Sequence, residues 1–186
     1  MASDFLELVK KRYSARDYLY KPVERGKIEK CLESARLAPS ACNSQPWKFI
    51  IIEDPEQKNK VCDKIFTGAY RMNQFVKKAP VLVVVVSLKG SFITKVGNLL
   101  RDTRYYLIDV GIAVEHFCLQ AAELGLGTCW IGWFNEKALK KALNIPKKTR
   151  VDVVLSLGYP AGEAPEKKRK AMEEMAEYNP ESRILN

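Results

Sequence analysis

The chain has 186 residues, 47% of them hydrophobic and 28% charged, which is typical of one globular domain with a substantial core and excludes a largely disordered chain. The formal net charge of +9 would suit a nucleic-acid-binding protein, but the lysines and arginines are spread among carboxylates and form no recognised nucleic-acid-binding motif. We therefore expect a basic pocket for an anionic ligand and no nucleic-acid partner.

The first dozen residues predict a short amphipathic helix that leads into a group of cations. Apolar side chains recur at helical spacing after an N-cap at Ser3 or Asp4. The helix is followed by RYSAR, in which Arg12 and Arg16 flank Ser14 at alternate positions, so that in an extended segment all three would project from one face. Guanidinium groups bind phosphate in a bidentate way and a hydroxyl adds a donor. The segment is therefore a candidate anion site, although such a triplet can also be a solvated surface.

A second helix is predicted to open at Pro22, with an apolar stripe as far as Leu37, and to end before the loop at residues 39–47. This loop, PSACNSQPW, contains two prolines and four small polar or amide side chains, and it runs directly into the apolar strand KFIIIE. A loop so rich in hydrogen-bonding groups can satisfy its own backbone. The functional alternative is that these groups contact a ligand.

The middle of the chain predicts a helix, a central strand and a polar connection. Asp54-Pro-Glu begins the helix, and the uninterrupted β-branched run VLVVVVSL at residues 81–88 fits a strand covered on both faces. Residues 89–104 are polar and rich in positive charge, which is typical of an exposed connection. Within it, Arg101 and Arg104 are candidates for binding an anionic substrate.

Residues 105–124 form a long apolar stretch without proline, and we predict that they are the central helix. Apolar residues occupy nearly every side of its helical wheel, so the helix is expected to be buried all round, at a subunit interface. Four ionisable residues inside it argue against a membrane span. Gly125 is expected to end the helix, and the run from Gly127 predicts a short buried strand whose glycines allow close backbone approach.

The C-terminal part predicts a helix, a strand and a charged arm. Asn135 is the expected N-cap of the helix, and VDVVLSLGYP, beginning at Val151, predicts a strand with both faces largely buried. The charge run KKRK at residues 167–170 is typical of a solvated tail. We expect residues 161–186 to form an arm with a short helix towards its end.

The five cysteines and the single histidine favour structural roles. The cysteine number is odd and no Cys-x-x-Cys spacing occurs, which argues against a disulfide framework and a metal site. Cys42 lacks an evident catalytic histidine and is interpreted as an incidental thiol. His116 can titrate near neutrality, but we interpret it as a packed, hydrogen-bonded core residue. The N-terminus resembles neither a signal peptide nor a membrane anchor, so we expect a cytoplasmic protein.

Four motifs, in this order along the chain, resemble those of the flavin-dependent nitroreductase family, small FMN oxidoreductases that work as intertwined homodimers. They are the Arg-x-Ser-x-Arg segment, the loop at residues 39–47, the turn and strand at residues 125–132, and the Lys-x-Arg of the arm. Each motif alone could be an ordinary surface or turn segment, but four motifs in the same order as in the family do not arise easily by chance. The loop, which resembles the family signature Pro-Ser-x-x-Asn-x-Gln-Pro-Trp, is the most specific of the four.

The resemblance implies an FMN site built from these motifs. The first and last motifs would hold the phosphate, with a register in the arm that could slip by one to Lys168 or Lys170, and the loop would contact the flavin across the dimer interface. A backbone amide at the end of the strand would point at flavin N5, although the acidic side chain that larger relatives often carry at position 131 is absent here. The implied FMN-binding residues are Arg12, Tyr13, Ser14, Arg16, Pro39, Ser40, Ala41, Asn43, Gln45, Ile131, Gly132, Lys167 and Arg169.

The resemblance also implies a fold and a reaction. The fold would be α+β, a single FMN-binding domain over residues 1–186 arranged as a three-layer α/β/α sandwich with a mixed central sheet. NADH or NADPH would pass hydride to FMN, and a nitroaromatic, a quinone or a similar small-molecule acceptor would take the electrons in a ping-pong cycle. The flavin supplies the chemistry, so neither a catalytic side chain nor a metal is expected.

Three alternatives remain open from the sequence. Within the same fold, the chain could be a flavin reductase, a dehalogenase or a flavin-destroying enzyme. A non-catalytic flavin-binding protein belongs to a different class. The third alternative is a basic nucleic-acid-binding protein, for which the net charge is the only argument.

Overall fold

A computed structural model of the chain describes residues 4–88 and 103–178, so Arg101 and most of the connection at residues 89–104 lie outside the described residues. Nowhere in these two ranges does a helix have the length and apolarity needed to cross a membrane. The helices are α1 (Phe5–Lys11), α2 (Arg25–Arg36), α3 (Pro55–Ile65), α4 (Tyr105–Glu123) and α5 (Glu136–Ala142), with 3-10 helices at Ala41–Asn43, Gly68–Lys78 and Met172–Glu174. The strands are β1 (Trp47–Ile52), β2 (Val81–Ser87), β3 (Gly127–Ile131) and β4 (Arg150–Gly158).

Three helices begin at the side-chain caps that the sequence predicts. The carboxylates of Asp4 and Asp54 accept backbone N–H groups of the first turns of α1 and α3 at 3.1 and 2.7 Å. The amide oxygen of Asn135 does the same for α5 at 3.0 Å. Each cap satisfies an N–H group that has no partner within the helix, which fixes where the helix starts.

The predicted start and apolar stripe of α2 were partly wrong. The helix begins at Arg25 rather than at Pro22, because the preceding segment runs extended beside Tyr159: the N–H of Leu19 donates to the Tyr159 carbonyl at 2.9 Å. Leu37, predicted as part of the stripe, is the C-cap of α2 and is 65% exposed. At about 3.6 residues per turn, Leu37 falls on the side of α2 opposite Ile28, so its side chain points away from the core.

The four named strands form one sheet in the order β1, β2, β4, β3, and every neighbouring pair is antiparallel. The expected mixed sheet is therefore incorrect for the named strands. Among the described residues, parallel pairing occurs at an isolated bridge, which joins Ser14 to Thr128. A strand buried on both faces is usual in parallel sheets. Here the same burial results from helices that cover both faces of an antiparallel sheet.

Two layers of helices enclose the sheet, which confirms the three-layer α/β/α sandwich. Alternate residues of β2 point to opposite faces: Val83 packs with α2 and α4, whereas Val84 packs with α3 and α5. Both of these valines are fully buried. The valine run predicted as a central strand is thus the middle of the protein, with β1 on one side and β4 on the other.

Among the described residues of one chain, the central helix α4 is buried on one side, so its burial all round at a subunit interface stays a prediction. One side packs on α2 and the sheet, and Phe117 on that side stacks against Phe49 with ring centroids 5.7 Å apart. On the other side Leu107 and Ile108 are exposed. Phe5, on the neighbouring helix α1, is exposed as well. The helical wheel indicates that α4 needs cover on every side, and a single subunit supplies only part of it.

Tyr18 anchors the segment after α1 to the sheet, and its loss is expected to destabilise the protein. Its buried hydroxyl is 2.7 Å from the Ala15 carbonyl and 2.7 Å from the Ser156 hydroxyl, and burial raises the pKa of Tyr18, so the phenol stays neutral. Tyr18→Phe should lower the free energy of unfolding by about 1–2 kcal/mol, because buried polar groups lose their partner. Urea denaturation measures this, with the exposed Tyr20→Phe as the control.

Candidate functional site

The segment from Arg12 to Arg16 is held in an extended form at the free edge of β3. Ser14 forms a parallel bridge with Thr128, and the Ala15 N–H donates to the Thr128 carbonyl at 2.9 Å. Ala15 is buried, whereas Ser14 and Arg16 are exposed and Arg12 is half-buried. Alternation along an extended segment therefore places the three predicted anion-binding side chains on the accessible side.

The C-terminal arm folds back onto this segment, and the two together line a cleft of about 360 Å³. The Tyr13 hydroxyl donates to the Gly162 carbonyl at 2.8 Å, and the Lys167 ammonium donates to the Val9 carbonyl at 2.5 Å. These two bonds bring together side chains that are distant in sequence. We call this site the cationic cleft; its lining residues are Arg12, Tyr13, Ser14, Arg16, Pro165, Glu166, Lys167, Lys168 and Arg169.

The first and last predicted motifs therefore meet in one place. Both Lys167 and Arg169 line the cationic cleft, and so does Lys168, whereas Lys170 is not among the lining residues. The alternative register through Lys168 and Lys170 would thus place only one cation in the cleft. Lys167 and Arg169 therefore both line the cleft, and their role in binding a phosphate stays a prediction.

Like charges crowd together in the cationic cleft. Partial burial lowers the pKa of Lys167, and the positive charges of Arg12 and Arg169 lower it further. Glu115 of α4 offsets part of this charge, because its carboxylate lies 3.2 Å from the Arg12 guanidinium, and Glu166 is an acidic residue of the lining itself. Burial raises the pKa of Glu115, against the opposite effect of Arg12 and Lys167. A cluster of cations that repel one another and are only partly neutralised is suited to a phosphate, which carries more than one negative charge.

The predicted loop around Asn43 does not line the cationic cleft and adopts a strained conformation elsewhere on the chain. Cys42, Asn43 and Gln45 all have positive φ, at 53°, 50° and 44°. Left-handed backbone costs roughly 1 kcal/mol or more for a residue with a side chain, although asparagine adopts it more readily. The described residues thus bring the two cationic motifs together and leave the loop residues Pro39, Ser40, Ala41, Asn43 and Gln45 apart from them.

Hydrogen bonds within the loop and to α4 maintain this conformation. The Ser40 hydroxyl accepts the Gln45 N–H at 3.0 Å, and the Gln45 amide donates to the Asn43 side-chain oxygen at 3.0 Å. The buried carboxylate of Asp109 accepts the N–H of Ala41 at 2.9 Å. Asp109 is one of the four ionisable residues inside the predicted central helix, and the sequence indicated no contact for it. A buried acid within an apolar helix was the signal that could have identified it.

The end of β3, where the flavin-facing amide was predicted, is braced by the 3-10 helix at residues 68–78. Ile131 is buried, and Gly132 is exposed immediately after it. The Asn73 amide donates to the Trp133 carbonyl at 2.8 Å, and the Trp133 indole donates to the Ala69 carbonyl at 3.2 Å. Asn73 therefore positions the turn that follows Ile131, a contact that the sequence could not indicate because it joins residues 60 apart.

The remaining sequence predictions have mixed outcomes. Arg104 is exposed at the N-cap of α4, and its predicted role in substrate binding stays a prediction, as does that of Arg101. His116 is hydrogen-bonded as predicted, with its Nδ1 3.3 Å from the Ser34 carbonyl, but it is half-buried rather than part of the core. All five cysteines are free, as predicted. Within residues 4–88 and 103–178 no group of acidic, cysteine and histidine side chains could hold a metal ion.

Comparison with protein families and solved structures gives consistent matches. The sequence model of the Nitroreductase family matches residues 9–72 and 69–159. A nitroreductase family protein from Clostridium novyi NT is 34% identical over 84% of this chain and 85% of its own, with a TM-score of 0.71. An FMN-dependent nitroreductase from Clostridium difficile R20291 is 29% identical over 94% of this chain and 99% of its own, also with a TM-score of 0.71.

Curated relatives include two different activities. An oxygen-insensitive NADPH nitroreductase of Helicobacter pylori is 27% identical over 77% of this chain and 81% of its own length. An iodotyrosine deiodinase of Thermotoga neapolitana is 28% identical over 93% of this chain and 96% of its own length.

Proposed function

The chain belongs to the nitroreductase family of NAD(P)H-dependent oxidoreductases, and on this premise we propose that it binds FMN and passes hydride from NADH or NADPH to a nitroaromatic, quinone or similar acceptor. The observation that carries the proposal is the cationic cleft. Arginine and lysine side chains from the two ends of the chain converge there on a space that suits a phosphate group.

The cleft residues would hold the FMN phosphate by charge and geometry. Arg12 and Arg16 offer planar pairs of N–H donors, Ser14 adds a hydroxyl, and Arg169 supplies a further guanidinium. Because Lys167 already donates to the Val9 carbonyl, it contributes mainly charge and anchors the arm against α1. Basic residues near the flavin ring would also favour negative charge on it after reduction, by the same principle as an oxyanion site.

The protein's contribution to the reaction would be binding, orientation and exclusion of water. When bound, FMN supplies the hydride chemistry at its N5 atom. The turn after β3 would present a backbone amide of Ile131 or Gly132 to the ring, and Asn73 and Trp133 fix that turn. No side chain is required as a nucleophile or a general base.

We propose further that two copies of the chain form the active unit. The exposed apolar side chains of Leu107 and Ile108 on α4, and of Phe5 on α1, would be covered by the partner subunit. The loop around Asn43, which lies apart from the cationic cleft within one chain, would then face the flavin bound by the other copy. The free cysteines agree with a reducing compartment, and we expect the protein to work in the cytoplasm.

Reductive dehalogenation is the second candidate reaction, favoured by the similarity to the deiodinase of Thermotoga neapolitana. Both reactions use a reduced flavin, so they differ in the acceptor. Turnover of NADPH with nitrobenzene derivatives, quinones and halogenated phenols, compared in one set of assays, separates the two candidates.

A visible spectrum before and after NADPH tests the proposed function. The purified protein, reconstituted with FMN, should be yellow and should lose its colour anaerobically on addition of NADPH or NADH. Re-oxidation by a nitroaromatic or a quinone should restore the colour. A protein that retains no flavin, or whose bound flavin neither coenzyme bleaches, would contradict the proposal.

Glu115 competes with the ligand for Arg12, so its neutralisation is expected to tighten FMN binding. The carboxylate lies 3.2 Å from the Arg12 guanidinium at the cationic cleft and would repel a phosphate there. Removing one such charge is worth about 1 kcal/mol, so Glu115→Gln should lower the dissociation constant of FMN about fivefold at low salt. Fluorescence titration of the apoprotein measures it, with Glu7→Gln on α1 as the control. Weaker binding in Glu115→Gln would show that the carboxylate instead supports the site.

A further inference from the structure

The buried carboxylate of Asp109 connects the central helix α4 to the strained loop. Asp109 is 4% exposed although it is an acidic residue, and it lies in an otherwise apolar part of α4. A charged group is seldom buried unless it is paired or hydrogen-bonded. One oxygen accepts the N–H of Ala41 at 2.9 Å, and the other lies 3.5 Å from the Ser44 hydroxyl. The partners of this carboxylate are therefore in the loop.

These two contacts bracket two of the three left-handed residues of the loop. Ala41 and Ser44 stand on either side of Cys42 and Asn43, both of which have positive φ. A backbone in this conformation persists only when its surroundings hold it there. Asp109 holds both ends of the turn from a rigid helix of 19 residues. Side chains on such a support keep their positions better than those of a free loop.

We propose that Asp109 is a positioning residue for the loop that presents Ser40, Asn43 and Gln45 to the flavin. It acts through the backbone of Ala41 and the hydroxyl of Ser44 and does not itself contact the cofactor. The inference rests on the proposed function, because it assigns a purpose to the loop conformation only if the loop binds FMN. It also explains why an acid is placed in a helix whose other buried residues are apolar.

The test compares three substitutions in the full-length chain reconstituted with FMN. Asp109→Ala removes both contacts. Asp109→Asn keeps an oxygen that accepts the Ala41 N–H and an amide that can donate to Ser44, so it should rescue the position of the loop. Ser34→Ala is the matched control, since its hydroxyl donates to the His116 carbonyl of the same helix at 3.2 Å without touching the loop.

We expect Asp109→Ala to weaken FMN binding about tenfold or more, because a charge-assisted hydrogen bond that orders the loop is lost. The visible circular dichroism of the bound flavin should change, since it reports the surroundings of the ring. Asp109→Asn should bind within about threefold of the unsubstituted protein and keep its spectrum. Ser34→Ala should change neither property, even where it lowers the thermal stability.

Two results would overturn the inference. One is an Asp109→Ala protein with unchanged FMN affinity and an unchanged flavin spectrum. The other is an Asp109→Asn protein that loses FMN as fully as the alanine variant, since the loop geometry would then not be the cause. If Asp109→Ala does not fold, Asp109→Ser replaces it. Serine leaves less empty space than alanine does, and its side chain is shorter than that of aspartate, so its oxygen is withdrawn from Ala41. If the unsubstituted protein does not bind FMN, the proposed function itself is contradicted. This outcome is distinct from the two above, in which the unsubstituted protein binds FMN.

Discussion

Replacing Arg12 with alanine is expected to weaken FMN binding by about 100-fold. A guanidinium that pairs with a phosphate makes charge-assisted hydrogen bonds worth roughly 1.5–3 kcal/mol each. In the unsubstituted protein the Glu115 carboxylate lies 3.2 Å from the Arg12 guanidinium. The substitution removes this partner, so the carboxylate would repel the phosphate at the cationic cleft. Loss and repulsion act in the same direction, and together they amount to about 3 kcal/mol.

Fluorescence titration of the apoprotein with FMN measures the effect, and the ionic strength must be fixed because salt screens exposed charges. Lys170→Ala is the matched control, since Lys170 is a cation of the same arm that does not line the cleft. Arg169→Ala should behave like Arg12→Ala, with a smaller loss because this guanidinium is more exposed to water. If Arg12→Ala and Lys170→Ala bind FMN with the same affinity, the assignment of the phosphate site to the cationic cleft is wrong.

The second large effect is expected at Gly127, the first residue of β3. A Cβ atom there would lie 2.7 Å from the Cβ of Ala15 and 3.3 Å from that of Pro160. Separations this short between side-chain atoms near the backbone cannot be relieved by turning a flexible side chain. Gly127→Ala should therefore lower the free energy of unfolding by about 1–3 kcal/mol. It should also weaken FMN binding, because the clash displaces the segment that carries Arg12 and Arg16.

Chemical denaturation and FMN titration of the same variant measure the two effects. Gly26→Ala is the control, since the space around Gly26 in α2 is open and alanine is the better helix former. A Gly127→Ala protein with the stability of the unsubstituted chain would mean that the segment after α1 does not pack against β3 as closely as described.

Much of the fold follows from local sequence signals. The side chains of Asp4, Asp54 and Asn135 determine where their helices begin, because the cap lies within a few residues of the N–H that it accepts. The valine run of β2 is apolar at every position, and it forms a strand buried on both faces. Gly125, with φ of 74°, ends α4 as its position after the apolar run predicts.

The signals that failed concern contacts between distant segments. The direction of each strand depends on how the connections cross the sheet, so the antiparallel pairing of β2 with β4 was not encoded in either strand alone. The extended start before α2 depends on pairing with Tyr159, far along the chain. The helical wheel of α4 predicts cover on every side but cannot say which neighbour covers Leu107, which is exposed within one chain.

In the candidate site too, local sequence signals were predictable and contacts between distant segments were not. The residue types at Arg12, Ser14 and Arg16 indicated an anion site, because guanidinium and hydroxyl groups bind phosphate, and the family resemblance added Arg169. The meeting of the two segments depends on the Tyr13 contact with Gly162, which joins positions 149 apart. The support given by Asp109 to Ala41 is similarly remote in sequence. Motifs therefore indicated the candidate binding groups, and the structure was needed to find the contacts that hold them in place.

The most direct test of the account compares FMN with riboflavin, which has the same ring system and lacks the phosphate. If the cationic cleft holds the phosphate, the unsubstituted protein should bind FMN at least about 100-fold more tightly than riboflavin, and Arg12→Ala should remove most of this difference. Titration of one apoprotein preparation with both ligands gives the ratio. Equal affinity for the two ligands would contradict the assignment of the cleft.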